Sequence, residues 1–259
     1  MDLTDRHIVV TGAARGIGAA LARRFHAGGA RVVVADIADV SWVAAELPGA
    51  IGVGADVSTE DGNIALINAA EAANGPIDLF FANAGIGGGT TLADTSEEAW
   101  AKTYDINVNA HRWAAKHLLD GWLARGEGYF CSTASAAGLL AQIGSAPYTV
   151  TKRAAVAFAE WLSISYGDQG LRVSCLCPQG VNTDMIRGDG ELGVGVQVVR
   201  TARILEPEEV ADVAADAIAD ERFLILPHPE VAEFMRRKAD DPQRWLAGMR
   251  ALQARILGG

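Results

Sequence analysis

Short apolar runs alternate with amphipathic stretches along nearly the whole chain. His7-Ile8-Val9-Val10-Thr11, Arg31 to Asp36, Ala50 to Asp56, Asp78 to Ala82, Gly128 to Ser132, Leu171 to Cys177 and Phe223 to Leu226 read as seven strands. Runs this short, apolar throughout and bounded by turn residues, suit strands covered on both faces. Helical segments are predicted between them: to about Ala27, from a cap at Ser58 to about Asn74, from about Ser96 to Arg125 with a break near Asp105, from Pro147 to about Tyr166, and from Glu206 to about Ala219. Ser58 suits an N-cap, Glu97 and Glu98 a first turn, and Pro147 and Pro207 the first helical positions. Strands alternating with helices of this length predict an α/β architecture: a doubly wound, parallel seven-stranded sheet with helices on both faces, three layers in a single domain over 1–259.

Two stretches stand outside the alternation. Asp184 to Leu205 is glycine-rich without a clear period, and a long irregular segment in a compact domain is expected to be a lid over substrate, beside Leu139, Ile143, Gln179 and Met185. After Pro227-His228-Pro229, a helical tail over about 229–257 carries Trp245, Leu246, Met249, Leu252 and Ile256 at helical spacing. Asp240, Asp241 and the overall acidity favour core or subunit packing for that stripe over a membrane surface.

Composition narrows the function classes. The 259 residues are 50% hydrophobic and carry 22 Lys and Arg against 32 Asp and Glu, a net charge of −10. That balance argues against nucleic acid or an anionic membrane as partner. The opening Met1-Asp2-Leu3-Thr4-Asp5-Arg6 has no apolar signal core and no run reaches ~18 apolar residues, so a cytoplasmic protein is expected. Cys131, Cys175 and Cys177 fall in strand-like runs. With no Cys-x-x-Cys or histidine partner they read as core residues of a reduced protein, not metal ligands. The five histidines have no ligand spacing either, although His228 at the strand edge is placed to border a substrate.

The first strand runs into Thr11-Gly12-Ala13-Ala14-Arg15-Gly16-Ile17-Gly18 and then a helix. Glycines there let backbone amides approach a phosphate, and the helix N-terminus adds positive potential. Asp36 ends the second strand eighteen residues after Gly18, close to the spacing of a carboxylate that binds the adenosine ribose. A carboxylate pairs with two hydroxyls and repels a 2′-phosphate, so NAD is expected over NADP. Arg15 is the one nearby residue that would favour a phosphate. Parallel sheets bind ligands at the carboxyl ends of their strands, and Gly12, Asp36, Asp56, Asn83, Ser135 and Pro178 to Thr183 all follow strand ends. Tyr148 and Lys152, four apart on one helix face, add an ammonium beside a phenol, which favours the phenolate and suits proton transfer.

In combination these motifs resemble the compact short-chain dehydrogenase/reductases: Thr-Gly-x-x-x-Gly-x-Gly at 11–18, Asp36, Asp56-Val57, Asn83-Ala84-Gly85, Asn107, Ser135 and Tyr148-x-x-x-Lys152. The resemblance covers nearly everything from Leu3 to about Leu226 and implies a Rossmann-like fold binding NAD. It implies a cofactor site of Gly12, Arg15, Gly16, Ile17, Gly18, Asp36, Asp56, Val57, Asn83, Ala84, Gly85, Tyr148, Lys152, Pro178, Gly180, Val181 and Thr183. Asp56 and Val57 would contact the adenine, Asn83 would steady the central strand, and Thr183 would touch the carboxamide. Asn107, Ser135, Tyr148 and Lys152 would be the catalytic set, with Asn107 holding a water that leads to Lys152. Two departures stand out: Gln179 intervenes in the usual Pro-Gly after strand six, and the tail beyond His228 replaces a brief ending.

The expected activity is hydride exchange between a nicotinamide and a fairly apolar secondary alcohol or ketone, with Tyr148 as general acid and base. A nucleotide-sensing regulator on the same scaffold is the alternative, and the Ser135, Tyr148 and Lys152 set argues against it. The resemblance also implies a homo-oligomer, dimer or tetramer, through the helices Trp100–Arg125 and Tyr148–Tyr166.

Overall fold

A computed structural model describes residues 1–88, 91–187 and 203–258. Seven parallel strands form one sheet: β1 (His7–Thr11), β2 (Arg31–Asp36), β3 (Ile51–Gly54), β4 (Leu79–Ala82), β5 (Gly128–Thr133), β6 (Leu171–Leu176) and β9 (Leu224–Ile225). Their order is β3-β2-β1-β4-β5-β6-β9. The chain therefore winds outward one way from β1, then returns and winds the other way from β4. That reversal opens a crevice between β1 and β4, where such sheets take ligands.

The apolar runs are explained by two-sided burial. Ile8 and Val10 join one core with Val32, Val34 and Phe81, while Val9 joins the other with Val33 and Phe80. Successive side chains point to opposite faces, and helices cover both.

Local corrections concern caps and ends. The helix Glu60–Asn74 is capped by Thr59, whose Oγ1 accepts the Gly62 N–H at 3.0 Å; the expected cap, Ser58, instead donates its hydroxyl to Asp56 at 2.6 Å. Glu97–Tyr104 is capped by Ser96, which accepts the Ala99 N–H at 3.2 Å. The expected break at Asp105 is a π-helical turn, Asp105–Asn109, joining that helix to Ala110–Arg125. Pro147 lies in the first turn of Ala146–Tyr166, and Pro207 opens Pro207–Ala219.

Only part of the expected lid falls within the described residues, since 188–202 lies outside them. Its ends are regular: a short helix, Asp184–Arg187, and a two-residue strand β8 (Ile204–Leu205) paired in parallel with β7 (Gly180–Val181). The tail is two helices, Glu230–Asp240 and Pro242–Leu257. Of its apolar stripe, Trp245 packs against one of the two cores. Trp245 lies 6.3 Å from Phe234, ring centre to ring centre, and Leu246 is 48% exposed. Among the described residues no helix is long and apolar enough to cross a membrane.

Candidate active site

A cleft of about 780 Å³ runs along the carboxyl ends of the strands, from Asp36 at one end to Tyr148 and Met185 at the other. The glycine turn forms its floor. Gly12 has φ +65° and Gly16 φ +54°, conformations costly for any residue with a Cβ. A Cβ on Gly12 would lie 2.8 Å from the Ala84 Cα, and one on Gly18 only 2.1 Å from the Gly12 carbonyl oxygen. The turn thus lies flush against the loop after β4 and feeds the helix Gly16–Ala27, whose N-terminal amides face the cleft. Arg15 is 74% exposed and reaches across to Asp184 at 3.4 Å.

Asp36 is held by the backbone on both oxygens. One accepts the Ala14 N–H and the other the Ala38 N–H, each at 3.0 Å. This fixes the carboxylate at the end of β2 and ties it to the glycine turn. Asp56 sits on the neighbouring loop, accepting from the Ser58 N–H at 3.0 Å, with Val57 beside it. Asn83 ties three strands together. Its amide donates to the Thr11 carbonyl at 3.0 Å, and its side-chain oxygen accepts from the Thr133 hydroxyl at 3.0 Å. The Thr11 hydroxyl in turn accepts the N–H groups of Asn83 and Ala84, both at 3.0 Å.

The proton-bearing groups gather at the other end. Ser135 caps the helix Ala136–Leu140, its Oγ accepting the Ala137 N–H at 3.1 Å and reaching the Pro178 carbonyl at 3.4 Å. Lys152 is buried and donates to the Thr133 carbonyl at 2.9 Å, with Nζ 5.7 Å from the centre of the Tyr148 ring. Burial lowers the Lys152 pKa to about 8. Burial raises that of Tyr148, and the Ser135 hydroxyl opposes the rise. The net direction is therefore upward, where the spacing alone favours the phenolate: desolvation outweighs an ammonium whose hydrogen bond goes to the Thr133 carbonyl.

Asn107 lies behind the cleft rather than on its wall. Fully buried in the π-helical turn, it accepts the Ile86 N–H at 2.9 Å and donates to the Ile86 carbonyl at 2.9 Å and the Thr151 hydroxyl at 3.1 Å. Its side chain is thus fully engaged by protein. A Cβ on Gly85 would lie 3.0 Å from Lys152 Nζ and 3.3 Å from Asn107 Oδ1, so only glycine leaves room between them.

Of the residues expected to hold a cofactor, all line the cleft except Gly180, whose backbone is in the β7–β8 pair. Leu139 and Ile143 are buried outside the lining: Leu139, on the helix Ala136–Leu140, packs into a core, and Ile143 is buried in the loop that follows; Gln142, Gly144 and Ser145 line that end instead. His228 does not border the cleft. It is buried under the loop after β6, its Nδ1 accepting the Gln179 N–H at 3.1 Å and its Nε2 bonding the Arg203 carbonyl at 3.2 Å. The sequence assigns no role to the hydroxyls of Thr11, Thr133 and Thr151 that cross-link the site: Thr11 enters only as the first letter of the glycine motif, and Thr133 at a strand end and Thr151 within a helix carry none. His111, buried one layer behind with Nδ1 2.9 Å from the Ser132 hydroxyl, was read only as a scattered histidine.

A family model described as short chain dehydrogenase matches residues 6–191. The chain belongs to the short-chain dehydrogenase/reductase family. Its relatives include meso-2,3-butanediol dehydrogenase of Serratia marcescens, 33% identical over 87% of this chain and 92% of that one. Cis-4-hydroxycyclohexanecarboxylate dehydrogenase of Sinomonas cyclohexanicum is also 33% identical, over 83% and 90%. (+)-Borneol dehydrogenase 1 of Salvia officinalis is 32% identical over 85% and 88%. The crystal structure of a short chain dehydrogenase/reductase from Burkholderia phymatum in complex with NAD superposes with a TM-score of 0.85, at 28% identity, covering 94% of this chain and 96% of that one. Membership in this oxidoreductase family accounts for the strand order, the glycine turn and the position of the cleft together.

Proposed function

We propose that this short-chain dehydrogenase/reductase interconverts a secondary alcohol and a ketone, using NAD, with Tyr148 as the general acid and base. One observation carries the reading: a single cleft joins the anchored Asp36 carboxylate at one end to Ser135, Tyr148 and Lys152 at the other. The relatives named for butanediol, a hydroxycyclohexane acid and borneol all act on alcohols at a secondary carbon.

The residues fit a dinucleotide. Glycines at 12 and 16 leave backbone amides uncovered beside a helix N-terminus, which suits a pyrophosphate. The Asp36 carboxylate, pre-positioned by two amides, suits a pair of ribose hydroxyls and disfavours a phosphate there, hence NAD over NADP. Arg15 is engaged with Asp184 and does not offset that charge. Asp56 and Val57 would flank the adenine, and Pro178, Val181 and Thr183 the nicotinamide end. When bound, the nicotinamide supplies the hydride chemistry.

The chain's own residues position oxygen and move a proton. Ser135 holds the substrate oxygen beside the Tyr148 hydroxyl. With its pKa raised by burial, Tyr148 is protonated at neutral pH and ready to donate to a forming alkoxide during ketone reduction. In alcohol oxidation it must first lose that proton, and Lys152, still cationic below about pH 8, stabilises the negative oxygen. Asn107 braces the loop at Ile86 and the Thr151 hydroxyl on the helix that carries both Tyr148 and Lys152, and so positions that pair.

A homo-oligomer is part of this proposal. The helix Ala146–Tyr166 presents Ile164, 84% exposed, and Trp161, 53% exposed, an apolar face suited to a second copy. The test of function is NADH formation from a panel of secondary alcohols by the wild type and by Tyr148→Phe. Turnover that survives the substitution would refute the assignment.

A further inference from the structure

Gln179 stands where the family's usual glycine would leave bare backbone, and its surroundings give it a fixed place on the substrate side of the cleft. Its backbone N–H is bound by His228 Nδ1 at 3.1 Å. The accepting nitrogen carries no proton, so the proton sits on Nε2, which donates to the Arg203 carbonyl at 3.2 Å. His228 is 1% exposed, so this anchor is rigid and dry. On the other side, the Pro178 carbonyl accepts the Ala136 N–H at 2.8 Å and lies 3.4 Å from the Ser135 hydroxyl. Gln179 is therefore held directly beside the residue that receives the substrate oxygen.

Its side chain lines the cleft, and its buried amide oxygen, Oε1, is left unpaired among the described residues. Leaving a buried amide oxygen unpaired is unfavourable, and the penalty is relieved when a ligand group donates to it. The rest of that end is also less apolar than a plain hydrocarbon ring would require, since Gln142 and Ser145 line it where Leu139 and Ile143 do not.

We propose that the Gln179 amide recognises a second hydroxyl of the substrate, so that the enzyme prefers diols over the corresponding simple alcohols. A hydroxyl both donates and accepts, and so satisfies the amide in either orientation of its terminal atoms. The inference rests on the oxidoreductase reading above and names the substrate class of that same site.

The experiment compares cyclohexanol with cyclohexane-1,2-, 1,3- and 1,4-diols, in the wild type and in Gln179→Met, which keeps an unbranched chain and loses the amide. The quantity read is the diol-to-cyclohexanol ratio of kcat/KM. At least one diol is favoured about ten- to hundredfold by the wild type, and Gln179→Met collapses that ratio toward one. The proposal is overturned if no diol is preferred, or if the preference survives the substitution. It is equally overturned if the variant weakens NADH binding, followed by NADH fluorescence, while leaving the ratio unchanged, because Gln179 then serves the nicotinamide. A wild type that turns over none of the alcohols refutes the oxidoreductase reading instead. In that event, titrating the same alcohols into the NADH-bound protein decides the matter: tighter diol binding that is lost in Gln179→Met supports the role of Gln179, and equal binding overturns it.

Discussion

Lys152 donates its hydrogen bond to the Thr133 carbonyl at 2.9 Å while its ammonium lies 5.7 Å from the centre of the Tyr148 ring. The cation is thereby fixed to the end of β5 and acts on the phenol through space. A charge held this way persists only while the lysine is protonated, and burial has brought its pKa down to about 8.

Reduction and oxidation should therefore have opposite pH preferences. Ketone reduction needs the neutral phenol and is expected to be fastest at or below neutral pH, where Tyr148 and Lys152 both hold their protons. Alcohol oxidation needs the phenolate, whose formation burial opposes, so its rate should climb as pH rises above neutrality. Tyr148→Phe should lower kcat about 10²–10⁴-fold in both directions. NADH affinity should stay within about threefold, under 1 kcal/mol. Initial rates across pH, with a fluorescence titration of NADH, check both statements.

Asp36→Asn tests cofactor choice. The amide keeps one acceptor for the backbone N–H groups of Ala14 and Ala38 but loses the charge that binds ribose hydroxyls and repels phosphate. NAD affinity should fall about tenfold or more, a loss of roughly 1.5–3 kcal/mol, while NADP binding falls less or improves. Dissociation constants for both cofactors, with Tm as a check on folding, give the answer. A wild type that binds NADP more tightly than NAD would remove Asp36 from the role assigned to it.

Acid should destabilise the fold through His111. Burial lowers its pKa to about 3, below the ordinary value of 6.5, so the folded state keeps it neutral. Between those two values the unfolded chain binds the extra proton, and stability falls as pH falls, on the order of 1.4 kcal/mol per pH unit. His111→Gln should lose about 2 kcal/mol less than the wild type between pH 6.5 and pH 5. His7, also lowered by burial, contributes to both proteins and cancels in the difference. Urea denaturation at the two pH values measures the effect.

Two glycine substitutions should separate sharply. Gly12→Ala forces φ +65° on a residue with a Cβ and drives that atom to 2.8 Å from the Ala84 Cα. It should cost about 1–3 kcal/mol and weaken NADH binding, because the turn must move away from the loop after β4. At Gly54 a Cβ meets nothing within 4 Å, so Gly54→Ala should stay within about 0.5 kcal/mol of the wild type. Thermal melts and NADH titrations distinguish the pair.

The sheet was legible because strands buried on two faces cannot hide among polar residues. Val32-Val33-Val34 needs apolar cover on both sides and says so in three letters. The glycine turn and Asp36 were legible because geometry restricts which residues such positions accept. Ser58 and Thr59 were not separable, since adjacent hydroxyls suit an N-cap equally and only the entry angle of the chain decides. Leu139 and Ile143 read as pocket residues by position, but a five-residue helix rotates Leu139 inward and the loop after it buries Ile143. The Tyr148 and Lys152 spacing gave their proximity. It could not give the balance between desolvation and charge, which depends on how much protein surrounds both groups. His228 and Gln179 lie forty-nine residues apart in the chain, and no local pattern announces a bond between them.

The pairing of Gly180–Val181 with Ile204–Leu205 brings the chain back to the spot it left, beside the reacting groups. Whatever length or composition intervenes, its two ends are clamped to each other before they reach the sheet. One parallel pair of two-residue strands thus serves as both exit and re-entry for the chain between β6 and the helix Pro207–Ala219.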